Sequence, residues 1–210
     1  MDKVFSPKTA MPNPDSGSVW GVLGGSFDPV HNGHIYLAEN ICKSKQLAGV
    51  LFVPAFNHPF KKDRAKASYV DRAAMLKLAL KNNLQLCEIE KEESLSGYTI
   101  DTLRALKMRF PKATFHFIIG LDLVNQLKNW HKSDELMKET QFLAGSRPGQ
   151  TLEAENDMLI NNVEIVKINE IDISASAIRH QIRTGATRDD IRQLVPHEVA
   201  EYIFDKGLYR

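Results

Sequence analysis

Beyond Ser18 the chain is punctuated at short intervals: apolar runs too brief for helices alternate with stretches whose apolar residues recur every three or four positions. Val19 to Leu23 is one such run, ended by Gly24 and Gly25, and Val50 to Val53 is another, ended by Pro54. Leu84 to Glu88, Phe115 to Ile119, Gln141 to Gly145 and Val163 to Ile168 follow. Between them, His34 to Lys45 sets Ile35, Leu37, Ala38 and Ile41 on one helical face, and Asp71 to Leu80 does the same with Ala73, Ala74, Leu76 and Leu80. Thr99 to Phe110 reads as a helix stopped by Pro111, since proline turns its predecessor away from helix. Ser133 to Glu139 is a short helix, and Ser176 to Thr184, Asp189 to Leu194 and His197 to Asp205 close the chain as helices. This alternation predicts an α/β fold: a doubly wound, Rossmann-like parallel sheet with helices on both faces and a small C-terminal helical part. Ligands in such sheets bind beyond the carboxyl ends of the strands. The loops after the first, second, fourth and last strands are therefore expected to converge.

Composition excludes some classes. The 210 residues suffice for one domain, expected over 18–210, with 1–17 as a flexible leader. A formal net charge of +1 argues against a surface built for nucleic acid or membrane. Cys42 and Cys87 are far apart and form no Cys-x-x-Cys pair, which suits structural thiols in a reducing compartment. No apolar run approaches the ~20 residues needed to cross a bilayer, and the leader lacks signal or transit character. A cytoplasmic protein is expected.

The loop after the first strand reads Gly24-Gly25-Ser26-Phe27-Asp28-Pro29-Val30-His31-Asn32-Gly33-His34. Paired glycines allow close approach of a ligand and torsions that side chains forbid. Ser26 can donate to a phosphate. His31 and His34 are three apart at the mouth of a helix, where free N–H groups and the helix dipole already favour anions. The equipment suits a polyphosphate. A histidine metal site is the competing reading, but no third ligand has suitable spacing. Neither GxGxxG nor GxxxxGK[ST] occurs.

This motif resembles the nucleotidyltransferase superfamily, in which His-x-Gly-His, here His31 to His34, binds the triphosphate. Further segments narrow the resemblance. Ile119-Gly120-Leu121-Asp122 offers a carboxylate to ribose hydroxyls, and Trp130-His131 an indole that could stack on a pyridine, though a half-buried core aromatic is the plainer reading. Ser96 to Leu103 and Ile173-Ser174-Ala175-Ser176-Ala177-Ile178-Arg179 each set hydroxyls across a helix start, where ordinary capping is the alternative. Asn57-His58-Pro59-Phe60-Lys61-Lys62 brings two ammonium groups, or merely a solvated pair. In this order, from Ser18 to Tyr209, they resemble the bacterial nicotinate-mononucleotide adenylyltransferases. The chain departs from that pattern at four sites: Ser26 and Ser176 stand where threonine is common, Pro-Phe-Lys-Lys replaces a more usual Pro-Pro-His-Lys, and His131 stands where tyrosine often follows the tryptophan.

The resemblance implies transfer of AMP from ATP to nicotinate mononucleotide, giving deamido-NAD and pyrophosphate in NAD synthesis. It implies His34, His31 and Ser26 as catalytic groups. It gives Gly24, Gly25, Gly120, Asp122, Ile173, Ser174, Ser176 and Arg179, with those three, to ATP. Phe27, Asp28, Lys61, Tyr98, Thr99, Trp130, the His131 backbone and Arg147 would surround the mononucleotide. Mg2+ would arrive with ATP and need no dedicated protein ligands. Nicotinamide mononucleotide or another phosphate acceptor, and a non-catalytic nucleotide sensor, are the rivals. A homo-oligomer is compatible with the sequence.

Overall fold

The computed structural model describes Pro14 and residues 17–57, 66–146, 162–168 and 172–210. The leader thus lies outside the described residues apart from Pro14 and Gly17, and so do Lys61, Lys62 and Arg147.

Six parallel strands form one sheet in the order β3-β2-β1-β4-β5-β6. They are β1 (Val19–Gly25), β2 (Gly49–Pro54), β3 (Leu84–Leu86), β4 (Thr114–Gly120), β5 (Gln141–Ser146) and β6 (Val163–Lys167). Every residue of β2 is buried, as a parallel strand covered on both faces requires. Alternate residues feed two separate cores. Leu23, Val50, Phe52, Ile118 and Leu143 face one side, and Val22, Leu51, Val53, Phe117 and Phe142 the other. This is the two-residue period of a strand read across four strands.

The first face is covered by α1 (Asn32–Ser44), α2 (Tyr69–Ala79), α7 (Ala175–Arg183), α8 (Arg188–Arg192) and α9 (His197–Asp205). The second takes α3 (Ile89–Glu92), α4 (Thr99–Arg109), α5 (Leu121–Val124) and α6 (Ser133–Glu139). The three last helices are therefore no appendage. Ile178, Ile182, Ile191, Val199 and Ile203 belong to the same core as α1 and α2, and Tyr202 of α9 donates to Asp71 of α2 at 2.9 Å. α2 begins two residues before Asp71 because the Ser68 hydroxyl accepts the Asp71 N–H. α3, α5 and a single 3-10 turn at Leu127–Asn129 escape periodicity analysis because three or four residues are too few to show a period.

The strand order reverses direction between β1 and β4, which leaves a crevice at their carboxyl ends. β1 ends there at Gly24 and Gly25, in register with Val53 and Pro54 of β2. β5 is held close to α1 because Gly145 has no side chain; a Cβ there would run into Leu37 Cδ1 and come within 2.9 Å of Ile168 Cδ1. Gly145→Ala is expected to cost about 1–3 kcal/mol through overpacking, a fall of roughly 2–12 °C in Tm. A calorimetric scan showing no shift would mean that this contact yields freely.

Candidate active site

The loop from Ser26 to His31 is fastened from beneath by buried polar groups. Asp28 is 3% exposed, and its carboxylate accepts the Lys66 N–H at 2.7 Å, the Ala67 N–H at 3.0 Å and the Tyr209 hydroxyl at 2.9 Å. Burial and the neighbouring Asp28 push the Tyr209 phenol far up, so it stays protonated and donates. The Asp28 carbonyl accepts from Arg179 of α7 at 2.6 Å. Phe27 takes a left-handed conformation, φ 48°, with its ring 1% exposed and edge-on to His34 at 5.0 Å. Phe27 and Asp28, both expected at the mononucleotide, thus have buried side chains that are engaged within the protein.

The glycines behave differently from expectation in one respect. Gly24 and Gly25 lie in β1 and are absent from the residues of positive φ, so forbidden torsions are not their use; the left-handed residue of this loop is Phe27. Gly24 is exposed, and a Cβ on it would meet nothing within 4 Å. Open space above a bare backbone leaves room for close approach. Gly33 has a steric reason: a Cβ there would come within 3.0 Å of His31 Nδ1.

His31 caps α1 from its extended conformation, and its N–H points at His34 Nδ1 at 3.3 Å. An N–H can donate only to an unprotonated nitrogen, so the proton of His34 sits on Nε2. The two rings stack with centroids 3.6 Å apart. Burial holds His31 down to about 4, and burial followed by the His31 charge holds His34 well below the usual imidazole range. Both are neutral at pH 7. The His31 Nδ1 is buried without a partner.

Ser26 Oγ makes no hydrogen bond among the described residues, which leaves it available. Ser174 caps α7 by accepting the Ala177 N–H at 3.2 Å and lies 3.2 Å from the exposed Ser176 hydroxyl. The capping alternative is thus real, yet the pair still faces solvent at a helix start. Ile173 is brought against Gly33, its Cβ 3.7 Å from where a Cβ of Gly33 would be. Arg179 reaches the first loop, where its contact with the Asp28 carbonyl makes it a strut.

At the end of β4, Asp122 is exposed, and its carboxylate lies across Gly120, where any Cβ would collide with it. Trp130 is half-buried and sits edge-on to Phe142 at 6.0 Å, anchored to the second core. His131 stacks on Tyr98 at 4.2 Å, which brings the 96–103 and 130–131 segments together as expected. Ser96, in contrast, is consumed locally, accepting from the Tyr98 N–H and donating to Asp101. Thr99 opens α4 as its first residue.

Two groups escaped the sequence reading. Arg72, 4% exposed on α2, donates to the carbonyls of Ser26 and Ala55. Glu90, also buried, accepts from the Phe56 N–H and the Thr102 hydroxyl, and burial raises it above the usual carboxylate range. No motif marks either. The one available signal was Arg72 itself, a charge adjoining the apolar face of an amphipathic helix.

A Gly-rich strand end, a helix mouth with neutral histidine donors and a reversing parallel sheet define the class: a nucleotide-binding transferase domain. The cytidylyltransferase-like family matches this chain over residues 22–181. Among curated proteins, nicotinate-nucleotide adenylyltransferase of Bacillus subtilis is 35% identical, covering 90% of this chain and 97% of its own. A protein of Halalkalibacterium halodurans named probable nicotinate-nucleotide adenylyltransferase is 39% identical, covering 90% of each. The chain belongs to the nicotinate-nucleotide adenylyltransferase family. Its fold matches that of Plasmodium falciparum nicotinic acid mononucleotide adenylyltransferase complexed with NaAD, with a TM-score of 0.74 at 20% identity, covering 91% of this chain and 97% of that one.

The buried histidines make stability depend on pH. Below pH 6.5 the unfolded chain gains a proton on His31 that the folded chain accepts only near pH 4, so stability falls as pH drops through that window. His31 contributes on the order of 3 kcal/mol to that loss. Urea unfolding from pH 7 to 4 should therefore fall less steeply for His31→Gln than for the wild type. Parallel curves would show that His31 is not held neutral.

Proposed function

We propose that this chain transfers AMP from ATP to nicotinate mononucleotide, giving deamido-NAD and pyrophosphate. The observation that carries this reading is the stacked, neutral His31–His34 pair at the mouth of α1, beside the bare backbone of Gly24. The names of its relatives and the NaAD complex of its structural neighbour support the choice of acceptor.

A phosphate oxygen of the mononucleotide attacks the α-phosphorus of ATP in line. A new phosphorus–oxygen bond forms as the bond to the β-phosphate oxygen breaks, and pyrophosphate leaves with the electron pair. The nucleophile is already an anion, so no base is needed, and catalysis reduces to positioning and stabilisation of charge. His34 suits that task as a neutral donor through Nε2, with its ring braced by His31 and Phe27. Ser26 adds a free hydroxyl. Ser174, Ser176 and Arg179 bind the outer phosphates from the start of α7, and Asp122 accepts from ribose hydroxyls. Trp130, Tyr98, Thr99 and the His131 backbone enclose the pyridine, Lys61 meets the mononucleotide phosphate, and Arg147 joins the mononucleotide site.

Among the described residues no three acidic, histidine or cysteine groups cluster to hold a metal. The donors lining the crevice are N–H and O–H groups, which suit phosphate oxygens and not a cation. In this reading magnesium arrives with the substrate as Mg–ATP, and no protein-held metal is invoked.

His34→Ala should lower kcat about 10²–10³-fold, the size of a lost charge-stabilising donor; near-normal turnover of the folded variant in a steady-state assay would refute the role. Trp130→Ala should weaken the mononucleotide and spare ATP, so equal losses in calorimetric titrations would remove Trp130 from the acceptor site. The overall reading is tested by pyrophosphate release with Mg–ATP against a panel of acceptors. Release with nicotinate mononucleotide supports it, and absence of release with every acceptor of the panel would favour a nucleotide sensor.

A further inference from the structure

Arg72 is a guanidinium inside the protein, 4% exposed. One terminal nitrogen donates to the Ser26 carbonyl at 2.6 Å and the other to the Ala55 carbonyl at 2.9 Å, while Nε is buried without a partner. It forms no ion pair among the described residues, and its one aromatic contact is the Tyr69 ring, 5.4 Å from the guanidinium carbon. Asp28, Glu90 and the phenols of Tyr69 and Tyr209 favour its charge from a distance, against the burial that opposes it. Burying an unpaired cation costs several kcal/mol. Two carbonyls could be pinned more cheaply by a neutral amide, so the charge calls for a use.

The two carbonyls lie at the carboxyl ends of β1 and β2, on the two loops that border the crevice. A trans peptide points its C=O and N–H in opposite directions. With the Ser26 carbonyl turned down onto Arg72, the Phe27 N–H is turned the other way, and it makes no hydrogen bond among the described residues. Phe27 is also the left-handed residue of this loop, a conformation that side-chain-bearing residues rarely adopt and that persists only where the surroundings impose it. The Arg72 clamp on one side and the buried ring against His34 and Phe52 on the other impose it.

We propose that Arg72 is a positioning residue for the transfer: it fixes the Ser26–Phe27 peptide so that the Phe27 N–H faces a phosphate of ATP, and its guanidinium adds positive charge behind that peptide. The inference rests on the adenylyl-transfer reading above. Lysine keeps the charge but cannot grip two carbonyls as a planar fork does; glutamine keeps a donor and loses the charge. Both halves of the proposal are thus separately removed.

The test measures Kd for Mg–ATP and for adenosine by calorimetry, with thermal unfolding, in the wild type, R72K and R72Q. Each folded variant should bind Mg–ATP about 10–100-fold more weakly, as expected for lost hydrogen bonds to a charged group, and adenosine within about twofold of the wild type. A merely structural arginine would move both ligands together. R72Q carries the test if R72K does not fold. Undiminished ATP affinity in a folded variant, equal losses for both ligands, or failure of both variants to fold would overturn the proposal. A wild type that binds no ATP would instead bring down the functional reading itself.

Discussion

Asp28 is the joint on which the crevice depends. Its carboxylate gathers the turn before α2, through Lys66 and Ala67, and the extreme C-terminus, through Tyr209, while its own carbonyl receives Arg179 from α7. These partners stand 38 to 181 residues away along the chain. A buried carboxylate is tolerated only when hydrogen bonds replace its water, and here each replacement is also a tie between segments. The first loop can therefore be stiff without belonging to a helix or strand. That stiffness matters in a reaction where the protein supplies little chemistry beyond fixed donors.

The histidine pair follows from the same burial. Two imidazoles stacked at 3.6 Å would repel if both were charged, and burial removes the proton from each. What remains is a donor of fixed tautomer at a helix mouth, needing no reorganisation as charge builds on a phosphate. The helix start adds its own N–H groups in the same direction. Arg72 and Glu90 brace the loops from behind, one gripping carbonyls and the other gripping an N–H and a hydroxyl. The crevice is thus lined by donors whose positions are set by buried groups behind them.

Local patterns explain why much of this was legible in one dimension. The strands carry continuous apolar runs, and the long helices have enough turns to show a period, so their order and the reversal of the sheet could be expected. Elements of three or four residues, such as α3 and α5, carry no period and were missed. Among site residues, the motif positions are legible in sequence and the packing of their side chains is not. Asp28 and Phe27 belong to the motif, yet one is a clamp and the other a buried brace, because sequence records which residues are present and not which way they turn.

By itself the sequence determined the α/β class, the strand order's consequence for where ligands bind, and the phosphate-binding character of Gly24 to His34, since these depend on local periodicity and on the chemistry of adjacent residues. Tertiary structure alone decided that Tyr209, Arg179 and Arg72 converge beneath that loop, that the last helices share the core of α1 and α2, and that both histidines are neutral. The reason is physical: hydrogen-bond partners and desolvation depend on which distant segments the packed sheet brings within a few ångströms, and no spacing along the chain encodes that distance.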